Sequence, residues 1–375
     1  MSFRLDPVEL TQKLVRFDSQ NPPGREEEVC RFVGEILAGL GLVVRYHELA
    51  PGRLSLVATL AGAGDRPPLC LTGHVDTVPF DRSSWSFDPL AGDIVAGRLR
   101  GRGSSDMKSG VAALVAAAAE LAARPGRGAE LVLILTAGEE DGCQGALALA
   151  REGALPRGGL LLVAEPTANQ PWLGHKGALW LEVTFPGKAA HGSMPHEGDN
   201  AIYKAARAAL RLENLFAETA GHPHMGRPTV NVGVMQGGAK INIVPERASL
   251  QVDIRSVPGL AHAAAVDLVQ AAVGPEARVQ VLVDTPGFAT DPHDPALRRL
   301  WELVSGAAAP PTAPGYASYF TDGAALREAM GRAPTVILGP GEPHQAHQTD
   351  EYCLVERIGQ ATELYTALAA SWLGL

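Results

Sequence analysis

The sequence lacks the features that would mark several classes of protein. Its 32 lysines and arginines fall short of its 41 aspartates and glutamates, leaving a net charge of -9. Partners such as nucleic acid or an anionic membrane require a basic face, so this balance argues against both. No apolar run reaches the ~18 to 20 residues of a membrane span, and the alanine-rich stretch after Val111 is broken by Glu120. The opening MSFRLDPVELTQKL has no signal-peptide apolar core. The four cysteines, Cys30, Cys70, Cys143 and Cys353, are scattered without paired spacing. They are expected as reduced thiols of a cytoplasmic protein, not as a disulfide framework or a thiolate metal site. No internal repeat or low-complexity linker stands out.

What is present is ordinary globular composition, 46% hydrophobic and 19% charged over 375 residues. That length has room for two domains and a full core. Helices are expected from Pro7, with Asp6 as the cap, and over Glu26 to Leu40 before Gly41. Strands follow at Val43 to Tyr46, Leu54 to Leu60 and Pro68 to Thr72, the last running into GHVDTVP. GRGSSDMKSG opens a long helix, and ELVLILTAGEED is a buried strand that runs into two adjacent carboxylates. GGLLLVAEPT repeats that pattern and ends on Glu165. Right-handed crossovers would bring His74, Asp106, Glu139 and Glu165 to one edge of a mostly parallel sheet, where open α/β folds place their chemistry.

From about Leu173 the texture changes to alternating apolar and polar residues, as in half-exposed antiparallel strands. The order there is β-α-β-β-α-β-like, which predicts an inserted α+β, ferredoxin-like domain at 174–285. The α/β catalytic domain is then discontinuous, 1–173 and 286–375, with YFTDGAAL read as a turn and a final helix over Val355 to Trp372.

His74, Asp106, Glu140, Glu165 and His347 form a donor set of two imidazoles and three carboxylates. That suits Zn²⁺, with Co²⁺ or Mn²⁺ as alternatives. Five donors exceed one tetrahedral zinc and suit two ions ~3.5 to 4 Å apart with a bridging carboxylate. Asp106 is the natural bridge. Asp76 lies two residues after His74, placed to accept its other ring N–H. Glu139 remains as the general base for the attacking water.

These blocks, GHVDTVP, GRGSSDMKSGVAA, TAGEEDGCQG, VAEPT and AHQTDEY, resemble in order the motifs of the co-catalytic zinc metallopeptidase family. That family includes acetylornithine deacetylase, succinyl-diaminopimelate desuccinylase, aminoacylase and glutamate carboxypeptidase. The resemblance implies that His74 and Glu165 hold one metal, Glu140 and His347 the other, with Asp106 bridging. It implies a cis peptide at Asp106-Met107, and it implies that His191 in KAAHGSMPHEGDNAI stabilises an oxyanion. Asn242 and Arg255 in KINIVPERASLQVDIR would grip a substrate carboxylate. Read without the family, Arg255 is a strand-surface ion pair and Asn242 a turn residue. Gly339, Gly341, Tyr319 and Thr321 are expected to line the pocket. A homodimer through 174–285 is implied as well.

The function so expected is a metal-dependent amide hydrolase that removes an acyl group from an N-acyl amino acid. An aminoacylase or carboxypeptidase-like hydrolase of small peptides is the alternative. A dinuclear phosphoesterase fits less well. Such sites favour more Asp, His and Asn donors, and no further glycine loop with a basic residue is placed to cradle phosphate.

Overall fold

The computed structural model describes residues 5–310 and 314–375. The chain forms two compact units. The first comprises the residues up to Gly174, Thr290–Gly315 and Thr321–Leu375. The second is His175–Ala289 with Tyr316–Phe320, a short return segment that the sequence does not announce.

The first unit is built on a sheet whose order runs Val43–Ala50, Arg53–Leu60, Ala129–Thr136, Arg66–His74, Leu160–Val163, Thr335–Ile337 and Trp172–His175. The central four strands are parallel, and antiparallel pairs lie outside them. Leu131, Leu133, Ile134, Leu135, Leu69, Leu71, Leu160, Leu161 and Leu162 are all fully buried. Continuous apolar runs of this kind are what a parallel strand needs when both its faces are covered. The helix Ser109–Ala122 is buried over almost its whole surface and packs against Pro7–Val15 and Val355–Leu373. An all-round apolar helix belongs in such a position. Asp6 caps the first helix by accepting from the backbone of Val8 at 2.8 Å.

The turn expected at YFTDGAAL is replaced by a short helix, Gly323–Ala329. Its seven residues are too few for a clear 3.6-residue period. A hairpin, Ile94–Val95 with Arg98–Arg100, gains a third strand from Tyr352–Leu354. Among the described residues no helix is long and apolar enough to cross a membrane. All four cysteines are free and buried.

The second unit is an antiparallel sheet in the order Thr229–Gly237, Arg247–Arg255, Ala178–Pro186, Arg278–Thr285. Alternate residues of its middle strands, Leu179, Leu181, Val183, Leu250, Val252 and Ile254, turn to one buried face. There they meet Ala205, Ala208 and Leu212 of the helix Ala201–Leu212, and Ala265, Val269 and Val273 of the helix His262–Val273.

Candidate metal centre and active site

Three neighbouring parallel strands deliver the acidic and imidazole groups. His74 is the last residue of the middle strand. Glu139 and Glu140 follow Ala129–Thr136 on one side, and Glu165 follows Leu160–Val163 on the other. The carbonyl of Ala164, just before Glu165, is approached so closely that only glycine fits beside it. A Cβ on Gly110 or on Gly339 would lie 2.2 Å from that oxygen. Gly339 is therefore packed behind Glu165, with its own N–H donating to Thr167 Oγ1 at 3.1 Å. Asp106 lies in the irregular segment Ser104–Lys108 ahead of the buried helix, and its peptide bond to Met107 is cis.

The five expected donors converge. His74 Nε2 lies 3.2 Å from Asp106 Oδ1 and 3.8 Å from Glu165 Oε1. His347 Nε2 lies 2.9 Å from Glu140 Oε2 and 3.5 Å from Asp106 Oδ2. Each oxygen of Asp106 thus faces a different imidazole. Donor atoms of His74, Asp106 and Glu140, and separately of His74, Glu139 and Glu165, fall within 4.8 Å of one another. Glu139 is therefore within ligand reach of His74 and Glu165 as well as being free to serve as a base.

The electrostatics fit a site for cations. Burial, then the charges of Glu165 and other acids, pushes the Glu139 carboxyl well above the usual range. Burial and Asp106 do the same to Glu165, and burial and Asp106 raise Glu140. A cluster of buried carboxylates that repel one another is costly unless positive charge is added. His74 supplies some. Burial works against its protonation, but Asp106 and Asp76 outweigh this and hold its pKa well above 6.5. Oxygen and imidazole donors in this number suit Zn²⁺, Co²⁺ or Mn²⁺.

Asp76 reaches further than a partner for one imidazole. Its Oδ1 accepts from the Glu139 N–H and its Oδ2 from the Glu140 N–H, each at 3.2 Å. Asn21 Nδ2 donates to the same Oδ2 at 3.0 Å. His74 Nδ1 is closer to the Asp76 backbone carbonyl, at 3.0 Å, than to its carboxylate, at 3.5 Å. Burial alone would raise the Asp76 carboxyl, but these hydrogen bonds hold it below the usual range.

Three groups around the centre were not singled out by sequence. Asn21 sits in NPPG, which reads as a helix stop. Asp322 is buried, accepts from the Thr136 hydroxyl, and is pushed up to about 6 by its burial. Glu351 is a fully buried carboxylate bonded to the loop that carries Asp106. The block AHQTDEY contains Glu351, but nothing in it says what that carboxylate touches. Cys143, at a left-handed φ of 59°, places its Sγ 3.9 Å from Glu139 Oε1.

His191, Asn242 and Arg255 belong to the second unit. There His191 pairs with Ile243 in an isolated bridge, and the Gly192 N–H donates to the Asn242 carbonyl at 2.8 Å. His191 and Asn242 are exposed. Arg255 is half-buried, with Nε 3.0 Å from Asp253 Oδ1, and its guanidinium lies 5.8 Å from the centre of the Phe320 ring.

An α/β fold with imidazoles and carboxylates gathered at its strand ends defines a metal-dependent hydrolase. The profile of peptidase family M20/M25/M40 matches residues 70–371, and the chain belongs to that family. It is 34% identical over 339 residues to an acetylornithine deacetylase of Myxococcus xanthus, covering 86% of this chain and 85% of the relative. It is 29% identical over 404 residues to a probable succinyl-diaminopimelate desuccinylase of Staphylococcus epidermidis, covering 98% of each. Among solved structures, a Staphylococcus aureus tripeptidase aligns with a TM-score of 0.78 at 23% identity, covering 100% of both chains. A Sulfolobus solfataricus metallo-carboxypeptidase of the same family aligns at 0.81 and 17%, covering 99% of this chain and 100% of its own. At those identities the two structures speak to the fold alone.

Proposed function

We propose that the protein hydrolyses the amide bond of an N-acyl amino acid, releasing the acyl group as a carboxylic acid and the amino acid as a free amine. The observation that carries this reading is Asp106 placed between His74 and His347, with Glu139 buried alongside. The full-length relatives named acetylornithine deacetylase and succinyl-diaminopimelate desuccinylase support that branch. In this reading His74, Asp106, Glu140, Glu165 and His347 hold two divalent ions, Zn²⁺ before Co²⁺ or Mn²⁺. Such ions, when bound, polarise a carbonyl and acidify water.

The chain's own residues do the rest. Glu139 accepts the proton of the attacking water on a carboxylate oxygen and passes it to the leaving nitrogen. Its buried setting, which disfavours the charged form, suits a group that must both take up and release a proton. Asp76 holds the Glu139 and Glu140 backbone in place and orients His74. His191 donates to the oxygen that becomes negative in the tetrahedral intermediate. Arg255 and Asn242 take the substrate carboxylate, a planar anion suited to a guanidinium. Gly339 keeps the wall behind Glu165 thin.

A homodimer through residues 174–285 is part of the proposal. It is supported by the uncharged edge strand Thr229–Gly237 and by Tyr203, 63% exposed, and Leu210, 69% exposed, on the adjoining helix.

The test is amine release from N-acetylornithine, N-succinyl-diaminopimelate, N-acetylmethionine, an acyl-glutamate, and an unblocked dipeptide and tripeptide. The protein is first stripped by chelator and then given Zn²⁺ or Co²⁺. Metal-dependent turnover of one acyl amino acid supports the reading. Turnover of dipeptides or tripeptides alone would move it to a small-peptide hydrolase, the activity named for the tripeptidase of similar fold.

A further inference from the structure

Glu351 joins the two loops that carry Asp106 and His347. Its side chain is fully buried. One carboxylate oxygen accepts from the backbone N–H of Ser105 at 2.7 Å and of Asp106 at 3.0 Å. The other accepts from the Gly103 N–H at 3.0 Å and from the Arg102 guanidinium at 2.7 Å. Backbone donors from one short loop closing on a single carboxylate make an anion nest, and the charge strengthens each bond.

The same two segments are tied elsewhere. The Gly101 N–H donates to the Glu351 carbonyl at 2.9 Å. The Ser105 hydroxyl donates to the Tyr352 carbonyl at 2.7 Å and accepts from the Glu342 N–H at 3.0 Å. Arg102 is buried, with its guanidinium 5.1 Å from the Trp85 ring centre.

On its own strand side, Glu351 closes a stretch with two non-glycine residues in the left-handed region, His347 at φ 62° and Asp350 at φ 59°. Such conformations persist only where the surroundings hold them. His347 has a side chain 55% exposed, so packing alone does not hold it. Asp350 accepts from the Ser86 N–H at 2.8 Å, and Glu351, the residue after it, is held by the N–H groups of Gly103, Ser105 and Asp106.

We infer that Glu351 is a positioning residue: through the backbone, it fixes Asp106 and His347 relative to one another. The inference rests on the proposed metal role of those two residues. A buried carboxylate serving only the fold would lower stability when removed and leave ion binding by the folded protein unchanged. A positioning carboxylate sets ion affinity and coordination.

The experiment compares the wild-type chain, Glu351→Gln and Glu351→Asp. Each is stripped by chelator and titrated with Zn²⁺ against a chromophoric competitor, and its visible spectrum is recorded with Co²⁺. Folding is checked by circular dichroism. Glutamine keeps the volume of Glu351 but turns an NH₂ toward N–H donors. The expected result is a fall in ion affinity of about tenfold to a hundredfold in Glu351→Gln. Altered Co²⁺ bands accompany it, and kcat drops far more than KM changes. Glu351→Asp, which keeps the charge but shortens the side chain, shows a smaller loss in the same direction. Wild-type affinity and spectrum in a folded Glu351→Gln overturn the inference. If that variant does not fold, Glu351→Asp decides, because the shortened carboxylate is drawn back from the Gly103, Ser105 and Asp106 N–H groups, and wild-type affinity there overturns it equally. A wild-type chain that takes up no zinc strikes the metal reading of the site itself, a result separate from either variant.

Discussion

The two oxygens of Asp76 anchor the backbone of the two adjacent glutamates, Oδ1 accepting from the Glu139 N–H and Oδ2 from the Glu140 N–H, each at 3.2 Å. Because the same carboxylate lies beside His74, one side chain sets three groups of the centre. Asp76→Asn keeps the shape but replaces one acceptor with a donor facing an N–H. The expected outcome is a loss of about ten- to a hundredfold in ion affinity or turnover, read by zinc titration and by kcat. A variant with wild-type values for both would remove Asp76 from this role.

Glu139 has two readings that a single variant separates. Its donor atoms lie within ligand reach of His74 and Glu165, and its burial beside the centre suits a base. For Glu139→Gln the expected outcome is unchanged zinc stoichiometry with kcat lowered by about 10²- to 10⁴-fold, the range of general acid–base catalysis. Loss of one ion per chain would make Glu139 a ligand instead.

Much of this centre was legible because of where the acids fall. An apolar run such as LVLIL ends on Glu139-Glu140, and another, LLLV, leads to Glu165. A carboxylate directly after a buried strand is an expense that a sequence carries for a reason. The parallel core was legible from the same runs, and the second unit from its change to alternation. What stayed hidden depends on contacts distant in sequence. Asn21 meets Asp76 across 55 positions, and Glu351 meets Asp106 across 245. Backbone N–H groups are the partners of Glu351, and no residue type advertises them. Tyr316–Phe320 joins the second unit as five residues without periodicity, and Gly323–Ala329 is too short to show one. The carboxylate of Asp76 was expected to take the His74 ring N–H, but its own carbonyl is nearer. A side-chain spacing of two does not foresee that competition.

Removing metal exposes a pH dependence whose sign is fixed by the carboxylates. Glu139 and Glu165 are held well above 4.5 in the folded protein, and Glu140 is raised too, by burial and mutual repulsion. Burial also raises Asp322 to about 6 and Glu351 to about 7. His74, raised by Asp106 and Asp76 against its burial, has the same sign. Through these groups the folded chain binds more protons than the unfolded one between about pH 4.5 and 8, and its stability falls as pH rises through these values. Lys108, which burial lowers to about 8, acts with the opposite sign above that range. Asp76 and Asp106 are depressed and act below the usual aspartate range, outside this window. The metal-free protein should lose Tm steadily from about pH 5.5 to 8, with added Zn²⁺ flattening the trend. Thermal melts after chelation check it, and a metal-free Tm that climbs over that range would count against it.

The dimer proposal turns on which edge of the second unit is free of charge. Edge strands are commonly protected from pairing by charged side chains. Arg278–Thr285, at one end of the sheet, carries Arg278 and Asp284. Thr229–Gly237, at the other, reads TVNVGVMQG and carries none. Met235 on that strand is 47% exposed, and the adjoining helix exposes Tyr203 and Leu210, which are two turns apart on one face. Pairing of two such edges across a two-fold axis would extend the sheet and cover both helices. Leu210→Lys with Val234→Lys places charge on each element at exposed positions, Val234 lying opposite Gln251 and so on the face away from the buried Leu250. Sedimentation should find the wild type as a dimer and the double variant as a monomer that keeps its zinc. A wild type that sediments as a monomer at all concentrations tested would end the proposal. A dimeric double variant would move the interface to another surface.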